Sequence, residues 1–151
     1  SFKEKKVLWK KQIGIIGNGV DRLGCYFVPT KQGIMAISSS TGETKLIVDG
    51  DGWKLVDSLN NNENNLFSSV NTAIFLRQLG NNKYEPVLIL ATEGKAKVVT
   101  CEPFEGEYRG YIFLLDASQN GYENYIENHV FLTHNRVYQY SIKRPFKIVV
   151  K

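Results

Sequence analysis

Apolar positions in this chain come in short runs cut by turn-forming residues, and no helical period lasts beyond about two turns. The clearest pattern occurs three times. Cys25-Tyr26-Phe27-Val28-Pro29 leads into Thr30-Lys31-Gln32-Gly33 and then Ile34-Met35-Ala36-Ile37-Ser38. Val87-Leu88-Ile89-Leu90-Ala91 leads into Thr92-Glu93-Gly94-Lys95 and then Ala96-Lys97-Val98-Val99-Thr100. His129-Val130-Phe131-Leu132 leads into Thr133-His134-Asn135-Arg136 and then Val137-Tyr138-Gln139-Tyr140-Ser141-Ile142. Gly and Asn accept the positive φ of a tight hairpin turn, so each copy predicts a β-hairpin. The turn residues that mark them are Thr30, Gln32, Gly33, Thr92, Gly94, Thr133 and Asn135.

Between the hairpins the same grammar continues. Residues 6–16 predict a strand, closed by Gly17-Asn18-Gly19. Ser38-Ser39-Ser40-Thr41-Gly42 predicts a loop, Glu43 to Val48 a strand, and Asp49-Gly50-Asp51-Gly52 a turn. Asn60-Asn61-Asn62-Glu63-Asn64-Asn65 is a polar tract that cannot bury surface and predicts a loop. Ser68 to Arg77 predicts a long strand turned by Asn81-Asn82, and Tyr111 to Leu115 an apolar one. Cys101 to Glu107, broken by Pro103 and Gly106, predicts an irregular acidic loop, and Tyr122 to Asn128 a helical turn or short helix. Phe146 to Val150 predicts a closing strand.

The class is therefore all-β, with antiparallel blade-like sheets and no room for a long helix. Thr92 and Thr133 stand 41 residues apart, within the ~40–50 residue period of propeller blades. Thr30 and Thr92 stand 62 apart, and the excess coincides with the Asn-rich tract. The expected organisation is one β-rich domain, or a propeller segment of about three blades over residues 6–58, 68–115 and 122–151. The hairpins are expected in equivalent positions, with Phe75, Ile89, Phe113, Phe131 and Ile148 facing inward.

Gln32-Gly33-Ile34-Met35-Ala36-Ile37-Ser38-Ser39-Ser40-Thr41-Gly42-Glu43 resembles the blade signature of quinoprotein-type (PQQ-like) β-propellers. Tyr111 to Gly121 is a looser second match, with Asn120-Gly121 where that family carries Thr-Gly. The family docks blade to blade through a Trp that follows Thr-Gly-Glu, and Trp53 is the residue in this chain that the resemblance offers. The closing stretch from Arg136 to Val150 is similar to the last strands of propeller proteins in the tail nozzle of short-tailed bacteriophages. These resemblances imply a propeller and, for the second, a place in a viral or phage tail particle.

Composition adds bounds. The 151 residues suffice for one domain, and 42% hydrophobic with 23% charged residues is ordinary for a globular chain. No run approaches the ~20 apolar residues of a membrane-spanning helix. No signal-peptide pattern is present, and the Ser at position 1 reads as an excision, a processing site or an expression boundary. The net charge of +4 is uneven: residues 1–11 and 136–151 are basic, and the middle is acidic. Basic ends suggest contact with something negative, or simply solvated edge charges. Cys25 and Cys101 lie in apolar contexts and read as small buried hydrophobes.

Candidate chemistry is thin. Asp49-Gly50-Asp51-Gly52 could open a calcium loop, but the following positions lack oxygen ligands, which favours a plain turn. His129 and His134 have no third ligand nearby, so no zinc site and no cofactor are expected. Glu102, Glu105 and Glu107 cluster in a broken loop, where solvated carboxylates are expected. Tyr26, Phe27, Tyr138 and Tyr140 could stack bases in a nucleic-acid-binding sheet, a role the acidic middle disfavours.

The function expected is non-catalytic and structural. Three blades fall short of the ~4–8 that close a propeller, so other polypeptide, from the same or another chain, is the expected partner. A fragment of a quinoprotein-like dehydrogenase and a stand-alone β-sandwich binding module are the alternatives.

Overall fold

A computed structural model describes residues 6–56, 71–92, 95–117 and 124–145. The strands are β1 (Val20–Arg22), β2 (Cys25–Pro29), β3 (Gly33–Ser38), β4 (Thr44–Asp49), β5 (Trp53–Leu55) and β6 (Thr72–Gly80). They continue as β7 (Lys83–Thr92), β8 (Lys95–Thr100), β9 (Phe104–Glu105), β10 (Tyr108–Ala117), β11 (Asn124–Thr133) and β12 (Val137–Pro145). No helix occurs among the described residues. The fold is all-β.

The strands form three antiparallel sheets, each built from neighbours in sequence. Their orders are β1-β2-β3-β4, then β5-β6-β7-β8 with β9 beside β7, then β10-β11-β12. All three Thr-turn segments are hairpins: Phe27 pairs with Ala36, Ile89 with Val98 and Val130 with Gln139. Their places in the sheets differ. The first and third join the second and third strands of their sheets, whereas the second joins the third and fourth. The reason is β5, whose three residues open the second sheet before the Asn-rich tract. The turn that joins second to third strand there is Gly80-Asn81-Asn82-Lys83, with Asn82 at φ 54°. Counted on these turns, the repeat runs from Thr30 to Gly80 to Thr133, steps of 50 and 53 residues.

The sheet boundaries depart from the expected spans accordingly. The second sheet begins at Trp53, and β10 belongs to the third sheet. Residues 6–16 form no strand; an isolated bridge pairs Ile15 with Thr30. The expected helical turn is strand from Asn124 onward, because β10 and β12 pair with β11 on both sides. The acidic loop contains β9, which pairs Tyr84 with Phe104. The Asn-rich tract and the strand expected at 146–150 lie outside the described residues.

By compactness the chain divides into two units. The first takes Ser1–Leu55, Val70–Gln78 and Glu85–Glu102. Its core combines Cys25, Phe27 and Ile34 of the first sheet with Trp53, Phe75, Val87 and Ile89 of the second. Period-two alternation does this: Cys25 and Phe27 are buried while Tyr26 between them is exposed. Trp53 donates from Nε1 to the Asp49 carbonyl at 3.1 Å and carries the Arg77 guanidinium 4.5 Å above its ring. Arg77 also pairs with Glu85 at 3.1 Å.

The second unit takes Val56–Ser69, Leu79–Tyr84 and Pro103–Lys151. Its described core is aromatic. Phe104 stacks on Phe131 and Tyr84 with centroids 5.2 Å and 5.5 Å away, and Tyr138 stands 5.2 Å from Phe104. Of the inward-facing residues expected, Phe75, Ile89, Phe113 and Phe131 are buried, and Ile148 lies outside the described residues.

Candidate functional site

The three Thr residues occupy the same local position, the first corner of a two-residue turn. Thr30 exchanges both backbone hydrogen bonds with Gly33, at 2.8 and 3.2 Å. Its hydroxyl donates to the Gly33 carbonyl at 2.8 Å and accepts from the amides of Gln32 and Gly33, both at 3.2 Å. Thr133 repeats the arrangement with Arg136: its amide donates to the Arg136 carbonyl at 2.9 Å, and its hydroxyl accepts from the Arg136 amide at 3.1 Å. Both threonines are buried. Thr92 pairs with Lys95 across the second turn but is exposed. Gly94 lies outside the described residues, and Asn135 and Gln32 are exposed turn residues.

Gly33 is fixed by space as well as conformation. At φ 144°, a Cβ placed there would lie 1.8 Å from the Val48 carbonyl oxygen, so only glycine fits. In Thr41-Gly42-Glu43 the neighbour is Trp9, whose ring would stand 2.6 Å from an added Cβ on Gly42. Trp9 Nε1 donates to the Ser39 carbonyl at 2.8 Å. The tryptophan seated on this Thr-Gly-Glu turn is therefore Trp9, not Trp53.

The residues richest in chemistry are ones the sequence pattern did not assemble. On one face of β11, Glu127 and His129 are fully buried, and His129 Nε2 lies 3.1 Å from Glu127 Oε1. Tyr111 of β10 brings its hydroxyl to 2.7 Å from His129 Nδ1. Arg144 of β12 approaches Glu127 Oε2 at 3.8 Å. A ring proton on Nε2 would be donated to the carboxylate and would leave Nδ1 to accept from the phenol. Guanidinium and carboxylate offset one another, which is how a charge pair becomes tolerable without water. The available signal was the i, i+2 spacing of Glu127 and His129 on a strand; reading that stretch as a helical turn separates them.

The opposite face of the same sheet carries a second polar cluster. Asn128 donates to Asp116 Oδ2 at 2.8 Å and accepts at Oδ1 from Ser141 at 2.7 Å and from Gln139 at 3.1 Å. Leu114, Ile126 and Val137 lie on that face and are exposed.

The remaining candidates are separated. His134 sits exposed in its turn, and its amide donates to the Glu107 carbonyl at 3.0 Å. Glu102, Glu105 and Glu107 are exposed around buried Phe104. Asp51 accepts from the Gly52 amide at 2.8 Å, so the Asp49–Gly52 stretch is a turn linking β4 and β5. No group of three metal-ligating side chains occurs among the described residues. Both thiols are free; burial raises the Cys101 pKa to about 11. Tyr108 is raised to about 12, by burial first and then by Tyr84. Tyr26 and Phe27 point to opposite faces of their sheet, and Tyr138 donates its hydroxyl to the Glu105 carbonyl at 2.8 Å.

No helix among the described residues is long and apolar enough to cross a membrane. Comparison with protein-family models, with curated proteins and with solved structures finds no match for the chain.

Proposed function

We propose that this chain is a non-catalytic interaction module whose sheets are completed by other polypeptide within a larger assembly. The observation that carries the reading is the β10-β11-β12 sheet. Its outer strands are ten and nine residues long, and among the described residues neither pairs on its outward side. Outer strands of this length are templates for strand addition. The exposed Leu114, Ile126 and Val137 beside them would each gain up to about 1.5–3 kcal/mol on burial. Three meander sheets on a period of about 50 residues also suit a propeller segment. The resemblance of the closing strands makes a viral or phage tail particle the concrete candidate.

Burial of Glu127 and His129 supports a structural role for them over acid–base work, since a catalytic group must reach its substrate. The test is to express residues 1–151 alone and record light scattering and urea unfolding. Association, or cooperative folding only beside a co-expressed partner, is the expected result. A monodisperse monomer with one cooperative transition overturns the reading and favours a self-contained sandwich.

A further inference from the structure

A second surface lies in the first compact unit, on the side of the first sheet away from its core. Residues 9–15 form a strap along this sheet, fixed at one end by Trp9 on the Ser39 carbonyl and at the other by Ile15 bridging Thr30. Ser39 follows the last residue of β3 and Thr30 precedes its first, so the strap runs the length of that strand. Between strap and sheet is a groove of about 340 Å³. Tyr26, Val28 and Ile37 form its floor, which the register places on the face opposite buried Cys25 and Phe27.

Two features mark the groove as an unfilled surface. Tyr26 and Ile15, both lining it, are 41% and 54% exposed, while Val28 and Ile37 beneath the strap are buried. Lys11 and Asp21, also lining it, are exposed and form no side-chain hydrogen bond or ion pair within the described residues. An apolar trough with one free cation and one free anion presents complementary charges for a ligand that has both signs. Its volume admits one or two large side chains, at the small end of ligand sites.

We infer that this groove receives an extended peptide segment of a partner protein, inserting an apolar or aromatic side chain flanked by an acidic residue for Lys11 and a basic residue for Asp21. The inference does not depend on the strand edges of the third sheet, so either can fail alone.

The test is selection of a random short-peptide library against the 1–151 chain, purified alone if it folds alone and with its co-expressed partner if it does not, with affinities then measured on labelled peptides. Enriched peptides should share an apolar anchor between opposite charges. Lys11→Glu should weaken them about threefold or more, the scale of an exposed ion pair. The Lys11→Glu/Asp21→Lys double variant should prefer the same peptides with their charges exchanged. Both positions are exposed, so these variants leave the core untouched. Absence of enrichment overturns the inference, as does binding indifferent to charge reversal. Self-association of the chain that the double variant abolishes also overturns it, by assigning the groove to a second copy.

Discussion

The Tyr111 hydroxyl stands 2.7 Å from Nδ1 of His129, and both side chains are buried. With His129 Nε2 on Glu127 at 3.1 Å and Arg144 beyond it, a polar chain links all three strands of the last sheet. Tyr111→Phe removes one hydrogen bond to a buried ring nitrogen and is expected to cost about 1–3 kcal/mol in urea unfolding. Arg144→Met takes the cation from a buried carboxylate and should cost more, about 3–5 kcal/mol. An unchanged midpoint for either variant would remove the network from the account of stability.

Thr30→Val and Thr133→Val keep the side-chain shape and lose the hydroxyl that closes each turn. Each is expected to destabilise by about 1 kcal/mol. Thr92→Val, at the exposed copy, should stay within about 0.5 kcal/mol of the parent. Equal effects at all three positions would mean that burial of the hydroxyl is not what distinguishes them.

Gly33→Ala forces a Cβ against the Val48 carbonyl at 1.8 Å and is expected to cost about 2–4 kcal/mol. Gly14→Ala meets nothing within 4 Å and should be nearly neutral. Urea midpoints of the two variants, measured side by side, check the contrast.

The Cys101 thiol, raised from 9.0 to about 11 by burial, has about 100-fold less thiolate below pH 9 than an unfolded one, since thiolate is the reactive form. In a Cys25→Ala background, iodoacetamide at pH 8 should modify the native chain more slowly than the chain in urea, by roughly that ratio. The same shift has a stability sign. The native state holds its proton longer as pH rises, so this contribution is complete below pH 9.0 and is lost as pH climbs through about 11. Tyr108, raised from 10.0 to about 12, extends the loss upward. Urea midpoints should fall across that alkaline range, and less steeply after Cys101→Ala.

The hairpins were legible because each is written locally: a Thr, a two-residue polar turn, and apolar runs of strand length on both sides. Strands that depend on distant partners were not. The start of β11, from Asn124 to Asn128, is rich in Asn and Glu, which strands usually avoid, and two flanking strands override that preference. β5 and β9 have three and two residues, too few to show a period. The opposite error occurred at residues 6–16, where an apolar pattern suggested a strand but only Ile15 finds a bridge. The Glu127–His129–Tyr111–Arg144 chain needed the register of three strands, which no local pattern carries. Trp9 was hidden for the same reason, 33 positions before the Gly42 it covers.

The strand orders have a kinetic meaning. The first and third sheets are meanders, and outside the β5–β6 and β7–β9 pairings each ladder of the second joins strands across a turn of a few residues, so the entropy of most closures is small. β1 to β4 are complete by Asp49, before any residue of the second sheet has left a ribosome. A β protein assembled this way avoids the long-range pairings that slow sandwich folds. The first sheet can therefore form during synthesis, with its apolar inner face waiting on strands that begin with Trp53.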